Sequence, residues 1–141
     1  MSFREKSAWI MALVTAAAYA VYLGTILKRA DGALPTVPYA DTLLWTLGAV
    51  ILFAILAHIV VAIASPNEAG QTDERDREIY RRGEYIGQWV VVLGALGALG
   101  LALAEFSHFW IANLIYLAFV LSTLVASTAK ILAYRRGMPR W

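Results

Sequence analysis

The sequence predicts an all-α integral membrane protein with four transmembrane helices in an up-down bundle. Four apolar stretches fill most of the chain, and a helix needs about 20 apolar residues to cross a hydrocarbon core of roughly 30 Å. Hydrophobic residues make up 60% of the 141 positions, and the mean hydropathy is +0.63. Four helices that are apolar all round leave too little polar surface for a soluble domain. We therefore predict a single membrane domain over residues 1–141.

The predicted spans follow one another with short connections. The first apolar stretch is too long for the core of a secretory signal, which is about 7–15 residues, so it is predicted to be a transmembrane helix. The link Glu105–His108 is so short that the third and fourth spans must form a tight antiparallel hairpin. The predicted spans are Ser7–Leu27, Thr42–Ala64, Tyr85–Ala104 and Phe109–Ile131.

Positive charge is distributed unevenly about these spans. Of the 12 lysines and arginines, only Lys28 and Arg29 fall on the side of the first and third connections. The positive-inside rule places the other, basic side in the cytoplasm. We therefore predict a multi-pass protein whose N and C termini are both cytoplasmic. The bases on that side are Arg4, Lys6, Arg75, Arg77, Arg81, Arg82, Lys130, Arg135, Arg136 and Arg140.

A charged helix, Thr72–Glu84, is predicted to precede the third span and to continue into it. Two acid-first pairs at i,i+4 spacing, Asp73 with Arg77 and Glu78 with Arg82, favour a helix here. The charged residues cover one face of this helix, and the other face is predicted to carry Ile79, Tyr80, Gly83, Ile86 and Gly87. Its charged face is interpreted either as a solvated surface that fixes topology or as a contact surface for a cytoplasmic protein or a second copy of the helix. Mixed charge favours a protein contact over a lipid contact. The candidate contact residues are Asp73, Glu74, Arg77, Glu78, Arg81 and Arg82.

The same segment carries a resemblance to a known family. The string Asp73-Glu74-Arg75-Asp76-Arg77-Glu78-Ile79, followed by Arg81-Arg82-Gly83 and an apolar span, resembles small four-span prokaryotic membrane proteins of unknown function (DUF2178-like). Their motif is an Asp-Glu-Arg-x-x-x-Ile segment before the third span. Some are encoded near small DNA-binding regulators. The resemblance implies the prokaryotic cytoplasmic (inner) membrane and a regulatory role, and it implies no catalytic or binding residues.

Small residues form a stripe on the third helix. Gly83, Gly87, Gly94 and Gly97 project on one side of a straight helix, with Ala98 at its edge. Small residues allow a neighbouring helix to approach closely in lipid. The stripe is interpreted either as a packing face within the chain or as the interface of a homodimer, and we expect a homo-oligomer.

His58 is the main polar candidate inside the membrane. An ionisable group at this depth is a functional hypothesis by default. Three interpretations stay open: a structural imidazole hydrogen-bonded to Thr15 or Thr123 at similar depth, a proton or ligand site, and a metal or haem ligand. A polar path around His58 would make the chain a small transporter or channel.

Glu105 and His108 form a second polar pair at the hairpin. Their i,i+3 spacing would bring a carboxylate and an imidazole together if the turn were helical, but two ligands are too few for a metal site in one chain. Two interpretations stay open: a metal site that a symmetric dimer completes with two such pairs, and a solvated pair at the membrane interface. The chain has no cysteine and no motif of a nucleic-acid module or catalytic centre. We therefore expect a non-enzymatic interaction or regulatory protein in the lipid bilayer, with no cofactor and no nucleic-acid partner.

Overall fold

A computed structural model describes residues 3–30, 38–64 and 74–137. These residues form four α-helices and no strand within the described ranges. Each helix is long and apolar enough to cross a membrane, which confirms the prediction of an all-α, multi-pass fold. The helices are α1 (Phe3–Arg29), α2 (Ala40–Ala64), α3 (Glu74–Leu103) and α4 (His108–Arg136).

The predicted charged helix and the third span are one continuous helix, α3, which runs through Gly83 without a break. Its described part begins at Glu74, so Thr72 and Asp73 lie outside the described residues. The second helix begins at Ala40 rather than Thr42, since the Tyr39 carbonyl already accepts a bond from the Leu43 amide at 2.8 Å.

The helices pack antiparallel, and α1 and α4 hold the others together. α1 packs against α2 and α4, and α3 packs against α4. Two side-chain contacts tie together the end where α1 and α3 begin and α4 ends: the Arg135 Nε donates to Glu5 at 3.2 Å, and the Tyr134 hydroxyl donates to Asp76 at 2.8 Å. This end, which carries most of the basic residues, is called the basic end below.

A layer of tyrosines fills the half of the bundle away from the basic end. The rings of Tyr22 and Tyr116 stack with their centroids 4.8 Å apart, and Tyr19 packs on both. The Tyr22 hydroxyl donates to Asn113, and the Tyr116 and Thr46 hydroxyls lie 2.8 Å apart. This layer joins α1, α2 and α4 through polar groups that water does not need to satisfy.

Large apolar side chains cover the outside of the bundle. Trp45 is 79% exposed, Ile63 74% and Leu103 77%. Among the described residues only Tyr22 and Ile79 are large and almost completely buried. Such a surface is unstable in water and suits hydrocarbon, so the helices contact the lipid bilayer.

The α3–α4 hairpin turns at Glu105, which adopts a left-handed backbone conformation with φ 61°. The Phe106 amide donates to the Leu101 carbonyl at 3.0 Å, and the Glu105 amide donates to Ala102 at 3.1 Å. These two bonds form the Schellman motif that ends a helix, in which glycine normally occupies the left-handed position. The turn is therefore not helical, and α4 begins afresh after Ser107.

Candidate functional site

The charged face of α3 lies opposite the face that packs on α4. Ile79, Gly83 and Gly87 are buried, whereas Glu74, Arg77 and Arg81 are exposed. This separation agrees with the two faces predicted from the sequence. Burying the small apolar side against α4 leaves the charges pointing away from the bundle.

Ion pairs on this face are local and leave part of it unpaired. Arg82 pairs with Glu78 at 2.7 Å, as predicted from their spacing. Arg77 pairs with Glu74 at 3.6 Å, and its predicted partner Asp73 lies outside the described residues. Arg81 forms no ion pair with any residue of the described ranges.

The exposed charges line a groove of about 610 Å³. Tyr80 and Tyr85 add two aromatic rings to it, and Tyr80 is 44% exposed rather than packed on the buried face where the sequence placed it. A groove with both signs of charge and aromatic side chains has the chemistry of a protein-binding surface. We call it the α3 charged groove, lined by Glu74, Arg77, Glu78, Tyr80, Arg81, Arg82 and Tyr85.

The glycine stripe of α3 is filled by α4 of the same chain. A β-carbon at Gly87 would lie 2.9 Å from the Ser122 carbonyl oxygen, and one at Gly97 would lie 3.1 Å from Leu114 Cδ2. Gly94 faces Ala118 still more closely. The Ser122 hydroxyl donates to the Gly87 carbonyl at 2.8 Å across this contact. The glycine stripe is therefore a packing face within the chain, because α4 of the same chain occupies the space along it.

Gly83 meets the Lys130 side chain of α4 more closely than it meets the α4 backbone, where the Ala126 carbonyl oxygen would lie 3.1 Å from a β-carbon. A β-carbon there would lie 2.6 Å from Lys130 Cγ. The lysine stem therefore lies flat across α3, and its ammonium reaches Glu84 at 2.5 Å and the Tyr80 ring centroid at 4.2 Å.

His58 forms a hydrogen bond within its own helix. Its Nδ1 lies 2.6 Å from the Ala54 carbonyl oxygen. The structural interpretation gave His58 a hydrogen bond to Thr15 or Thr123, and neither bond forms: Thr123 donates to the Phe119 carbonyl at 3.1 Å, and the buried Thr15 hydroxyl has no partner in the described part of the chain. Side chains in a helix point back toward the preceding turn, and this brings the His58 ring to the Ala54 carbonyl one turn earlier.

The two threonines share an apolar cavity that does not include His58. This cavity of about 340 Å³ lies between α1, α2 and α4, with Leu47 and Phe119 among its lining side chains. Its walls are almost entirely hydrocarbon, so it offers no continuous polar path from His58 toward the other side.

His58 lines a second cavity at the basic end, of about 330 Å³. All four helices contribute to it, and most of its polar groups come from α3 and α4. The Ser7 hydroxyl is buried and has no hydrogen-bond partner among the described residues. We call this the basic-end cavity, lined by Ser7, Ala8, Met11, His58, Ile79, Tyr80, Glu84, Ser127, Lys130 and Tyr134.

The sequence reasoning missed most of this cavity. The sequence indicates Lys130 only as one of the basic residues that set the topology, and Ser7 only as the start of the first span. One signal was available, because Ser127, Lys130 and Tyr134 recur at i, i+3 and i+7 and therefore share a face of α4. The inward direction of that face was not readable, since the lysine depends on Gly83 of another helix for its path.

Glu105 and His108 are both exposed at the hairpin. The helical turn that would have brought them together is absent, because Glu105 ends α3 in the left-handed conformation. No group of three or more potential metal ligands occurs within the described ranges. The described part of the fold therefore brings no third potential metal ligand to Glu105 and His108.

No protein-family model, no curated protein and no solved structure matches this chain, so the resemblance to the DUF2178-like proteins stays a prediction.

Proposed function

We propose that this protein is a non-enzymatic interaction or regulatory protein of the prokaryotic cytoplasmic membrane. Its termini lie in the cytoplasm, and its α3 charged groove binds a cytoplasmic protein. The observation that carries the proposal is the groove of about 610 Å³, lined by acidic, basic and aromatic side chains on the face that the bundle leaves free.

The charges of the groove contribute little to holding the fold together. The Arg77–Glu74 pair is 64% and 93% exposed at its two side chains, and such surface pairs add little stability. Arg81 has no partner in the described residues. Charged side chains that the fold does not need are available to bind a partner protein. There they set the orientation of the partner and the rate at which the two proteins associate.

The mixture of signs argues for a protein rather than a membrane lipid. A site for anionic headgroups is dominated by lysine and arginine. The groove instead alternates Glu74 and Glu78 with Arg77, Arg81 and Arg82. A partner surface with the opposite alternation would match it.

A photo-cross-linking amino acid at Arg81 tests the proposal in living cells of the source organism. Position 81 is exposed in the groove, and Arg136 is an equally basic, exposed position on α4 that serves as the matched control. We expect a discrete adduct with a cytoplasmic protein from position 81 and none from position 136. Exchanging Glu74→Arg together with Arg77→Glu keeps the net charge and should abolish the adduct.

Three results would oppose the docking proposal: no protein adduct at position 81, an adduct that survives the charge exchange, or the same adduct from position 136. An adduct with twice the mass of this chain that is lost in the charge exchange would identify a second copy as the partner. That result would support the expected homodimer and overturn the cytoplasmic protein partner.

A small transporter or channel is the second candidate, and the basic-end cavity around His58 is the observation that favours it. A path from this cavity would have to cross the tyrosine layer, where Tyr22 and Tyr116 stack at 4.8 Å. Proteoliposome flux of protons and alkali cations, measured for the parent and for His58→Ala, decides this candidate. Flux that is absent in the parent, or equal in the variant, rejects it.

A further inference from the structure

The basic-end cavity contains polar groups that protein docking on α3 does not use. Ser7 of α1, His58 of α2 and Lys130 of α4 all line the same space of about 330 Å³. A cavity of this size falls at the lower end of the range for small-molecule sites. The three side chains come from three helices, so the fold brings together groups that are far apart in the sequence.

The Ser7 hydroxyl is the clearest sign of a missing partner. Its oxygen is buried and makes no hydrogen bond with the described part of the chain. Buried hydroxyls are nearly always paired, and an unpaired one lowers stability. A serine in a helix can also reach back to a carbonyl of its own helix, but Ser7 does not do so here.

His58 offers one ring nitrogen to the cavity. A carbonyl can only accept, so the bond of 2.6 Å to Ala54 requires the proton on Nδ1. Nε2 makes no hydrogen bond to any described residue. The neutral ring therefore presents an acceptor at Nε2, whereas the protonated ring presents a second, positively charged donor.

Lys130 supplies a fixed positive charge beside these groups. Its side chain is only 14% exposed, because the stem lies across Gly83. The ammonium is paired with Glu84, whose own side chain is 53% exposed. A carboxylate that is half in water can be solvated when another anion takes its place at the lysine.

We propose that the basic-end cavity binds the phosphate group of a ligand. Lys130 provides the counter-charge, the Ser7 hydroxyl donates one hydrogen bond, and His58 donates another from Nε2 when it is protonated. A phosphate offers several acceptor oxygens to donors from different directions, which suits this arrangement. A phosphate placed here would give both Ser7 and His58 the partner that each lacks.

The phosphate can come from a phospholipid headgroup or from a free phosphate compound. The basic end is where the predicted spans leave the membrane, and α2 and α3 are not among the helix pairs that pack extensively in the described residues. A lipid source therefore requires lateral entry between these two helices. The chemistry of the site is the same for both sources, so the experiment separates them.

The test uses the full chain in detergent and follows its thermal unfolding midpoint with three probes: inorganic phosphate, phosphatidylglycerol, and diacylglycerol of the same chain length. We expect stabilisation by phosphatidylglycerol and none by diacylglycerol. Equal stabilisation by inorganic phosphate would assign the site to a free phosphate compound, and its absence would assign it to the lipid.

Four variants locate the binding. Ser7→Ala and Lys130→Gln should weaken the apparent affinity about tenfold or more, since each removes a hydrogen bond to a charged group. His58→Leu should also weaken the apparent affinity, because leucine offers no hydrogen-bond donor to a phosphate oxygen. Thr128→Ala, which removes an exposed hydroxyl next to Ser127, should leave affinity unchanged.

Several results would overturn the proposal: no stabilisation by either phosphate probe, equal stabilisation by diacylglycerol, or full affinity in Ser7→Ala. If Lys130→Gln does not fold, Ser7→Ala still decides, because it removes only one oxygen atom. Full affinity in His58→Leu would reject the assigned role of the histidine.

Discussion

Lys130 of α4 crosses α3 at Gly83, where a β-carbon would lie 2.6 Å from the lysine Cγ and 2.8 Å from its Cε. The crossing places the ammonium against Glu84 and over the Tyr80 ring. One glycine thus joins the packing of the α3–α4 hairpin to the polar lining of the basic-end cavity. The other glycines of the stripe meet backbone or short side chains of α4 and have no such flexible neighbour, apart from Gly97 against Leu114.

Gly87→Ala should destabilise the bundle by about 1–3 kcal/mol, which is the usual cost of overpacking. The new methyl group would lie 2.9 Å from the Ser122 carbonyl oxygen, and that backbone atom is held in α4. Gly83→Ala should cost less, because the lysine stem can move aside and the nearest backbone atom, the Ala126 carbonyl oxygen, would lie farther away, at 3.1 Å. The free energy of unfolding in mixed micelles measures both.

Gly100→Ala is the matched control for the glycine variants. A β-carbon at Gly100 would meet nothing within 4 Å. Because alanine is about 1 kcal/mol better than glycine in a helix, this variant should be neutral or stabilising. A loss of stability at Gly100 equal to that at Gly87 would contradict close packing of α3 on α4 as the cause.

Tyr22→Phe should destabilise the protein more than Tyr116→Phe. Removing the Tyr22 hydroxyl leaves the Asn113 side-chain oxygen without its donor, at a cost of about 1–3 kcal/mol for a buried unpaired group. Removing the Tyr116 hydroxyl leaves Thr46 still bonded to the Thr42 carbonyl at 2.9 Å. Unfolding of the two variants under identical conditions measures the difference, and equal losses would mean that ring stacking alone holds this layer.

Glu105→Gly should raise the free energy of unfolding by about 1 kcal/mol. Glu105 has φ 61°, a conformation that costs residues with a β-carbon about 1–2 kcal/mol and glycine nothing. Glu105→Ala removes the carboxylate but keeps the strain, so it should show no such gain. If Glu105→Ala stabilised the protein as much as Glu105→Gly, the gain would come from removing the carboxylate charge and not from relieving the backbone strain.

Labelling of single cysteines tests the orientation of the helices. The chain has no cysteine of its own, so Ala104→Cys and Arg136→Cys each create one unique site at an exposed position. A membrane-impermeant maleimide should label position 104 on intact cells and position 136 only after permeabilisation. Labelling of both positions from the same side would contradict a fourth span between them.

Much of the fold was readable from composition and spacing. The predicted third span and the charged segment before it form a single helix, because Glu78, Arg82 and their neighbours favour helix and no strong breaker separates them from Tyr85. The positions of the helix ends were predicted less accurately. Glu105 terminates α3 by a backbone conformation that usually requires glycine, so its side chain gave no warning.

The sequence by itself determined that the helices lie in lipid rather than water and how many times the chain crosses the membrane. Both properties depend on the length of the apolar stretches and on where charged residues interrupt them. The tertiary structure decided which polar groups share a space. His58 lies with Ser7 and Lys130 rather than with Thr15 and Thr123, although all three histidine and threonine positions are at similar depth. Depth follows from residue number, but the direction a side chain faces is set by which helices pack together, and that depends on small residues such as Gly83 and Gly87 meeting a particular neighbour.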